Sequence, residues 1–322
     1  MRFSKRILAI TLFLGFLLVG FQNPTFACDF CVLGAYTQES ISTTTLPATT
    51  LKKDKISAGF IFEYQKWNEL DHREAHELHE AGRDIHNFSH DEFYHFFLGY
   101  GLTDDVELNI KLPVVKKSFL RVEDGVVGQG DSSSGLGDLT LLGKYRFYQG
   151  GVDLSAIGGI KFPTGDTSDR GFDGKKLEPE EQPGTGSFDY FFGLALAKQF
   201  GRLSIGGDFI YNLKTEGAQE REVGDVIRAD IAFSYSLREP GIFPNVRVTG
   251  EINSQFLQKD HDRTGKIFDS GGHIVFLTPG VAIDTTQNST FFVSVPIPVI
   301  QDRGGQHPEV DFEVISGIIF NW

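Results

Sequence analysis

Apolar and polar residues alternate along most of the chain from Ile56 onwards. Successive side chains of a β-strand point to opposite faces, so strict alternation predicts strands with one apolar and one polar face. The segment 106–114 is the clearest case, because apolar residues at even positions alternate there with Glu107, Asn109 and Lys111. Most such segments hold about ten residues, the length with which a tilted strand crosses a bilayer.

We predict about twelve such strands, an even number, as in bacterial single-chain outer-membrane barrels. The predicted strands are 56–66, 92–101, 106–114, 137–148, 152–162, 188–200, 203–213, 226–237, 246–256, 272–283, 290–299 and 310–322.

Short and long connections alternate between these strands. Thr103-Asp104, Gln149-Gly150 and Gly201-Arg202 are short links, whereas 67–91, 115–136 and 163–187 are long. Short periplasmic turns and longer outer loops are typical of outer-membrane barrels, and a soluble sandwich has no reason for this order. The sequence therefore predicts an all-β fold, a closed antiparallel transmembrane β-barrel of about twelve strands over residues 56–322.

The segment from Val310 to Trp322 has the pattern of a strand that closes a barrel. Its apolar even positions include Phe320 and Trp322, and Glu313 lies on the other face. We predict that it pairs antiparallel with 290–299 and with 56–66, and that Phe320 and Trp322 face lipid near the periplasmic rim. We also expect this strand to be the one that contacts the barrel-assembly machinery.

Residues 1–27 have the features of a secretory signal peptide. A basic start is followed by an apolar run from Ile7 to Phe21 and by a small residue, Ala27, after which we expect cleavage. We interpret residues 28–55 as a periplasmic N-terminal segment. Cys28 and Cys31 would form a small-loop disulfide in an oxidising compartment; lipid attachment at Cys28 is the alternative, although the preceding residues match a lipobox poorly.

The charge balance limits the partners. The chain has a formal net charge of -13, which argues against a nucleic-acid partner and against adhesion to anionic lipid by charge alone. Outer-membrane lipid around the barrel and a small-molecule solute inside it are the partners that we expect. The signal peptide and the barrel pattern together predict a location in the outer membrane of a Gram-negative bacterium.

Several short motifs resemble a known family. They are Tyr100-Gly101-Leu102-Thr103-Asp104, Lys111-Leu112-Pro113, Gly135 to Leu139 with Lys144 to Phe147, Lys161 to Asp166, and Pro183 to Ser187. In this order they resemble the outer-membrane transporter family named for the MetA pathway of phenol degradation. The resemblance covers most of 56–322 and implies a barrel that passes small, hydrophobic or aromatic compounds. The His-rich first loop and the Cys-x-x-Cys start depart from the pattern.

The polar faces of the predicted strands supply the candidate lumen residues. Two interpretations stay open: a water-filled path whose charges select solutes, or a closed lumen laced with salt bridges. The candidates are Glu107, Lys111, Asp138, Lys144, Arg146, Asp153, Lys161, Asp208, Arg228, Arg247 and Glu251, with Glu63, Asp189, Asp230, Asp311 and Glu313 on the same faces.

The first outer loop raises a second hypothesis. His72, His76 and His79 lie at i, i+4 and i+7 of a predicted short helix over 68–82, hence on one face, and neutral imidazoles so spaced suit Zn, Cu, Ni or Co. The alternative is a solvated helix whose histidines are incidental. A plugged structural or adhesive barrel is a further alternative. We expect no catalytic cofactor and no enzyme activity, since no nucleophile and base stand at a recognised spacing.

Overall fold

The computed structural model describes residues 43–80, 87–123, 126–263, 265–267, 270–303 and 309–322. The predicted signal peptide, its cleavage site and both cysteines lie outside the described residues. Within them, no helix is long and apolar enough to span a membrane.

The described residues up to Leu213 contain eight strands and one helix. In chain order they are β1 (Ile56–Trp67), α1 (His72–Glu80), β2 (Asn87–Gly101), β3 (Val106–Glu123), β4 (Val126–Leu136), β5 (Leu139–Gln149), β6 (Asp153–Phe162), β7 (Asp189–Phe200) and β8 (Leu203–Leu213).

The described residues after Leu213 add eight more strands. They are β9 (Val226–Ser236), β10 (Asn245–Leu257), β11 (His261–Asp262), β12 (Gly265–Lys266), β13 (Gly272–Thr286), β14 (Ser289–Ser294), β15 (Ile297–Arg303) and β16 (Val310–Asn321). Single turns of 3₁₀ helix, Pro179–Glu181 and Ala218–Glu220, lie in the loops after β6 and β8.

These strands form a closed antiparallel barrel with 12 places in the ring, as the alternation predicts. Most strands of the ring pair with a neighbour in sequence. The pairings between strands that are not consecutive are β3 with β5, β10 with β13, β13 with β15, β14 with β16, and β1 with β16, which joins the two ends of the chain of strands. Two places are each filled by a pair of short strands. β4 and β5 both pair with β3, β14 and β15 both pair with β13, and the separate hairpin β11–β12 lies outside the ring.

The terminal strand pairs as its pattern predicts. β16 runs antiparallel to β1 from Ser57↔Asn321 to Trp67↔Val310, and to β14 from Ser289↔Phe320 to Ser294↔Ile315. Phe320 and Trp322 are exposed beside the short turn at 287–288, which is the periplasmic end of the barrel. They therefore face the surroundings at the rim, as predicted.

Alternation separates the two faces of the wall. The outward side chains are large, apolar and exposed, as a lipid-facing band requires, while the inward ones are buried. Outward examples from six strands are Phe96, Leu98, Ile110, Phe192, Leu194, Phe233, Val281 and Phe291.

One long outer connection contains more strand than the sequence pattern predicts. The region 115–136, expected to be a loop, is a hairpin in which β3 continues to Glu123 and β4 pairs with it from Val114↔Leu136 onwards. Its Gly, Ser and Lys residues do not alternate with apolar ones. A hairpin that extends beyond the bilayer needs backbone hydrogen bonds but no apolar face towards lipid. Its residues therefore do not alternate, and hydrophobic periodicity could not predict these strands.

Candidate functional site: the barrel lumen

Most charges on the inner wall form pairs. On β3, β5 and β6, Lys144 Nζ lies 3.4 Å from Glu107, and Lys161 Nζ lies 3.4 Å from Asp138 and 2.8 Å from Asp189. Because buried charges are costly unless paired, these contacts keep the charged wall stable inside the barrel.

The pairing continues on the following strands. Arg228 bridges two buried carboxylates, those of Asp208 at 3.1 Å and Asp230 at 3.0 Å. On β10 and β13, the guanidinium of Arg247 donates to both oxygens of Asp284 at 2.9 Å. Such bidentate contacts fix the position of the guanidinium as well as neutralising its charge.

The predicted lumen residues can now be placed. Glu107, Lys111, Asp138, Lys144, Arg146, Lys161, Asp208, Arg228 and Glu251 are buried on the inner wall, as are Glu63, Asp189, Asp230 and Glu313. Arg247 and Asp153 lie on the same wall nearer the periplasmic end and are half-buried, whereas Asp311 is exposed near the outer end of β16. The alternation did not single out Asp284 and Lys214, because each directly follows the end of a predicted strand (272–283 and 203–213).

The segment 43–51 lies inside the barrel. We interpreted residues 28–55 as a periplasmic lead-in, but in the part that the structure describes, Thr43 to Ala48 are buried. The segment passes the inner faces of β10, β8, β6 and β3 in turn, descending towards the periplasmic turn at Asp104. A Thr-rich stretch has no hydrophobic period, so its sequence gave no sign of this position.

Glu251 anchors the upper end of this segment. Its Oε1 accepts the backbone N–H and the hydroxyl of Thr43, both at 2.9 Å. Its Oε2 accepts the backbone N–H groups of Thr44 and Thr45 at 3.2 and 2.9 Å, and both of their hydroxyls. A single buried carboxylate thus accepts hydrogen bonds from three consecutive backbone N–H groups that lie outside any helix or strand.

Further acids hold the lower part. Asp208 accepts the N–H of Leu46 at 2.6 Å, and Glu107 accepts that of Leu51 at 2.7 Å. The hydroxyl of Ser155 donates to the carbonyl of Ala48. These acids are among the predicted lumen residues, and the structure uses them to bind the chain itself.

The wall opposite this segment has two apolar clusters on its inner side. Near the outer mouth, Trp67, Phe88, Phe119, Ile274, Phe276 and Val310 form one buried cluster with Leu177 of the loop after β6. Closer to the periplasm, Ile61, Phe97, Ala282, Phe292, Ile315 and Ile319 form a second one. Both clusters include residues of β1, β2, β13 and β16, which lie on one side of the ring, with β14 between β13 and β16.

Several polar side chains lie between the two apolar clusters. His95 Nε2 lies 3.2 Å from Glu63, and the indole N–H of Trp67 donates to Asp91 at 3.0 Å. The strand register places Gln65 between Asp91 and Glu313 on the same inner face. This wall is therefore apolar towards both ends and polar in the middle.

The His-rich loop gives no assembled metal site in the described residues. His72, His76 and His79 lie on α1, and His76 is exposed, with Nδ1 3.7 Å from Glu80. Among the residues whose side chains the structure describes, no group of three metal-ligating side chains is assembled. Metal binding by this loop stays a prediction.

Three outer loops meet above the lumen. Arg221, in the loop after β8, lies 2.7 Å from Glu180 of the loop after β6 and 3.1 Å from Asp260 of the loop after β10. Burial raises the pKa of Asp260 to about 6, although the N–H of Gly224 and the charge of Arg221 act to lower it. No sequence motif marked these three residues.

One solved outer-membrane channel has this fold, and two other outer-membrane barrels resemble it less closely. The COG4313 outer membrane channel from Pseudomonas putida F1 superposes with a TM-score of 0.62 at 15% identity, over 85% of this chain and 98% of that one. The NanC porin has a TM-score of 0.46 at 9% identity, over 83% and 98% of the two chains. The β domain of the Bordetella autotransporter BrkA has 0.45 at 10%, over 84% and 100%.

Sequence comparison gives the family. No curated protein sequence matches the chain at a significant level. Residues 89–300, which include the motifs from Tyr100 to Ser187, match the family model described as "Putative MetA-pathway of phenol degradation". The match covers more than half of the chain and confirms the resemblance in the motifs. The chain belongs to this family of the MetA pathway of phenol degradation, and it has the porin-like β-barrel fold of an outer-membrane channel.

Proposed function

We propose that the protein is a passive outer-membrane channel for small solutes, and that hydrophobic or aromatic compounds are the class it passes. The observation that carries this proposal is the pair of apolar clusters on the inner wall at β1, β2, β13 and β16. Porin interiors are ordinarily polar. Aromatic side chains such as Phe97, Phe276 and Phe292 offer an apolar solute contacts that water does not.

The charges of the opposite wall support the same proposal. Lys144, Lys161, Arg228 and Arg247 each contact a carboxylate of the wall. Asp208, Glu107 and Glu251 also bind the segment 43–51. Paired charges attract a charged solute less than a single-sign ring of charges does. The protein then acts by passage alone and needs no catalytic group.

Uptake of a neutral aromatic dye tests the solute class. N-phenyl-1-naphthylamine fluoresces in lipid and is excluded by an intact outer membrane, so its rate of entry into cells that produce the protein measures passage. Replacing Phe276→Gln puts an amide into the outer apolar cluster. We expect dye entry several-fold slower than with the wild-type protein at equal levels of folded barrel.

Thr278→Ala is the matched control, because Thr278 lies two residues from Phe276 on the same inner face of β13. It should leave dye entry unchanged. Swelling of liposomes in arabinose measures hydrophilic flux separately, and it should not fall in Phe276→Gln. Equal dye entry in wild type and Phe276→Gln would refute the apolar path, and an absence of conductance steps in planar bilayers would refute the channel.

A further inference from the structure

The loop after β6, residues 163–188, crosses the outer mouth of the barrel; we call it the lid. Its Leu177 is 1% exposed and packs in the cluster that contains Phe119 of β3 and Phe276 of β13. In the ring order, β6 and β7 lie opposite the junction of β14 and β16. Leu177 therefore reaches the far wall from the point where the lid leaves the barrel.

Contacts from both sides hold the lid in this position. The amide of Gln219, in the loop after β8, donates to the carbonyl of Leu177 at 3.0 Å. From the β3–β4 hairpin, Lys117 Nζ donates to the carbonyl of Glu180 at 2.7 Å, and the hydroxyl of Ser133 donates to that of Glu181. These contacts join the lid to two different parts of the rim, the loop after β8 and the β3–β4 hairpin.

The charged centre of these contacts is the group of Glu180, Arg221 and Asp260, which we call the latch. The side chains of Asp260 and Glu180 are 0% and 4% exposed, and the guanidinium of Arg221 contacts both of these carboxylates. Asp260 also accepts the N–H of Gly224 at 2.8 Å. The latch thus brings two buried negative charges together when the lid is shut.

Other ionisable groups around Asp260 are its chain neighbours Lys259 and His261. The backbone of His261 pairs with that of Glu222, and Glu220 forms an ion pair with Arg263 at the edge of the same loops. Ser270 lies in the same loop as Asp260 and is uncharged; its hydroxyl oxygen accepts the backbone N–H of Asp260 at 2.8 Å. Arg221 is the cation within contact of both latch carboxylates.

Opening the lid changes the surroundings of one acid in particular. With the lid shut, burial raises the pKa of Asp260 to about 6, and in water the pKa of this carboxyl has its ordinary value of 3.8. The shut state therefore binds a proton more tightly than an open state in which Asp260 reaches water. By linkage, stability of the shut state is greatest at low pH and is lost as pH rises through about 6.

We propose that the lid is a proton-linked closure of the outer mouth, in which acidification of the external medium holds Leu177 and the latch in place and neutral pH favours release. Arg221 keeps Glu180 as its partner when Asp260 is neutral, so the latch remains connected. Release at neutral pH would free the apolar cluster at the mouth for solute.

Hydrogen exchange of the full-length protein in detergent tests this directly, since amides of the lid exchange when it opens. Rates are divided by the intrinsic rate at each pH. From pH 7.5 to pH 5, the linkage gives an opening equilibrium about tenfold less favourable, so corrected exchange of lid amides should slow about tenfold. Amides in the middle of β7 and β8 are the internal reference.

Asp260→Asn removes the titration and keeps a neutral side chain. It should give a lid that is slow to exchange at both pH values, while Asp260→Glu should keep a pH dependence. Asp173→Asn is the matched control, because it removes an exposed acid from the lid away from the latch. Exchange in wild type that does not slow on acidification would overturn the proposal, as would a full pH dependence in Asp260→Asn.

Single-channel recording adds the functional consequence, and this part rests on the proposed channel. The closing equilibrium should shift about tenfold between pH 7.5 and 5 in wild type and stay constant in Asp260→Asn. If no current is seen at any pH, the channel proposal fails while the exchange result still decides on the lid.

Discussion

Replacing Glu251 by Gln should release the segment 43–51 from the lumen. Glutamine keeps one acceptor oxygen and places an amide at the other position. The hydroxyls of Thr43 to Thr45 can rotate and accept a hydrogen bond from that amide. The backbone N–H groups can only donate, so they cannot pair with it. The lower-energy orientation puts the amide at the Oε1 position, where Thr43 alone donates its backbone N–H.

The free-energy cost can be worked from these contacts. One buried N–H left without an acceptor costs about 1–3 kcal/mol. The remaining bonds lose the assistance of the charge, which makes such bonds roughly twice as strong as neutral ones. Together they weaken the inserted state by about 2–4 kcal/mol. This corresponds to a shift of about 30- to 1,000-fold in the equilibrium between inserted and released segment.

Planar-bilayer recording measures the result. Removal of the segment from the lumen should widen the path, so Glu251→Gln should show conductance steps larger than those of wild type, or wide steps far more often. Asp189→Asn is the matched control, because it also removes one buried inner-wall charge, from a carboxylate that contacts Lys161, Lys214 and Ser187. Equal step sizes in wild type and Glu251→Gln would refute the anchoring role. Equal increases in both variants would assign the effect to lumen charge.

Three further predictions concern stability and metal binding. Arg228→Met leaves the carboxylates of Asp208 and Asp230 buried without the Arg228 side chain and should destabilise the barrel by about 3–5 kcal/mol. Unfolding by guanidinium chloride in lipid vesicles should then have a lower midpoint. Adding Asp208→Asn and Asp230→Asn should restore much of the lost stability. Leu194→Arg puts a charge on the outward face in the middle of β7 and should cost about 2–4 kcal/mol in the same assay, and an unchanged midpoint would contradict a lipid-facing position. If α1 binds zinc, calorimetry should show a heat with the wild-type protein that disappears when His72, His76 and His79 are replaced by Ala, whereas equal weak heats would exclude the site.

Hydrophobic alternation was sufficient to predict the barrel because each transmembrane strand has one side in lipid and one side in the lumen. That physical requirement applies to every strand, so it appears in the sequence at 106–114 and again at 310–322. The pairing of β16 with β1 and β14 follows from the same rule, since a closed ring leaves no free edge. Parity also placed Glu107, Lys161 and Arg228 on the inner wall.

What fills and covers the lumen was beyond this kind of prediction. Thr43 to Thr45 hold their position through hydrogen bonds to Glu251, some 200 residues away in sequence. Glu180, Arg221 and Asp260 come from three different loops, and no spacing along the chain marks them as neighbours. Such contacts depend on the completed ring, whereas periodicity reports only on the surroundings of each strand.

The inserted segment also has a consequence for the order of assembly. Glu251 belongs to β10, while Thr43 to Thr45 precede β1, so their contact joins residues 206 to 208 apart in sequence. Contacts of such long range form late, because the chain between them must first be organised. The acceptors for the segment exist in their final arrangement when β10 has joined β13 and β1 has joined β16. Burial of Thr43 to Thr45 is therefore a marker of maturation, which separates a finished barrel from one whose seam is still open.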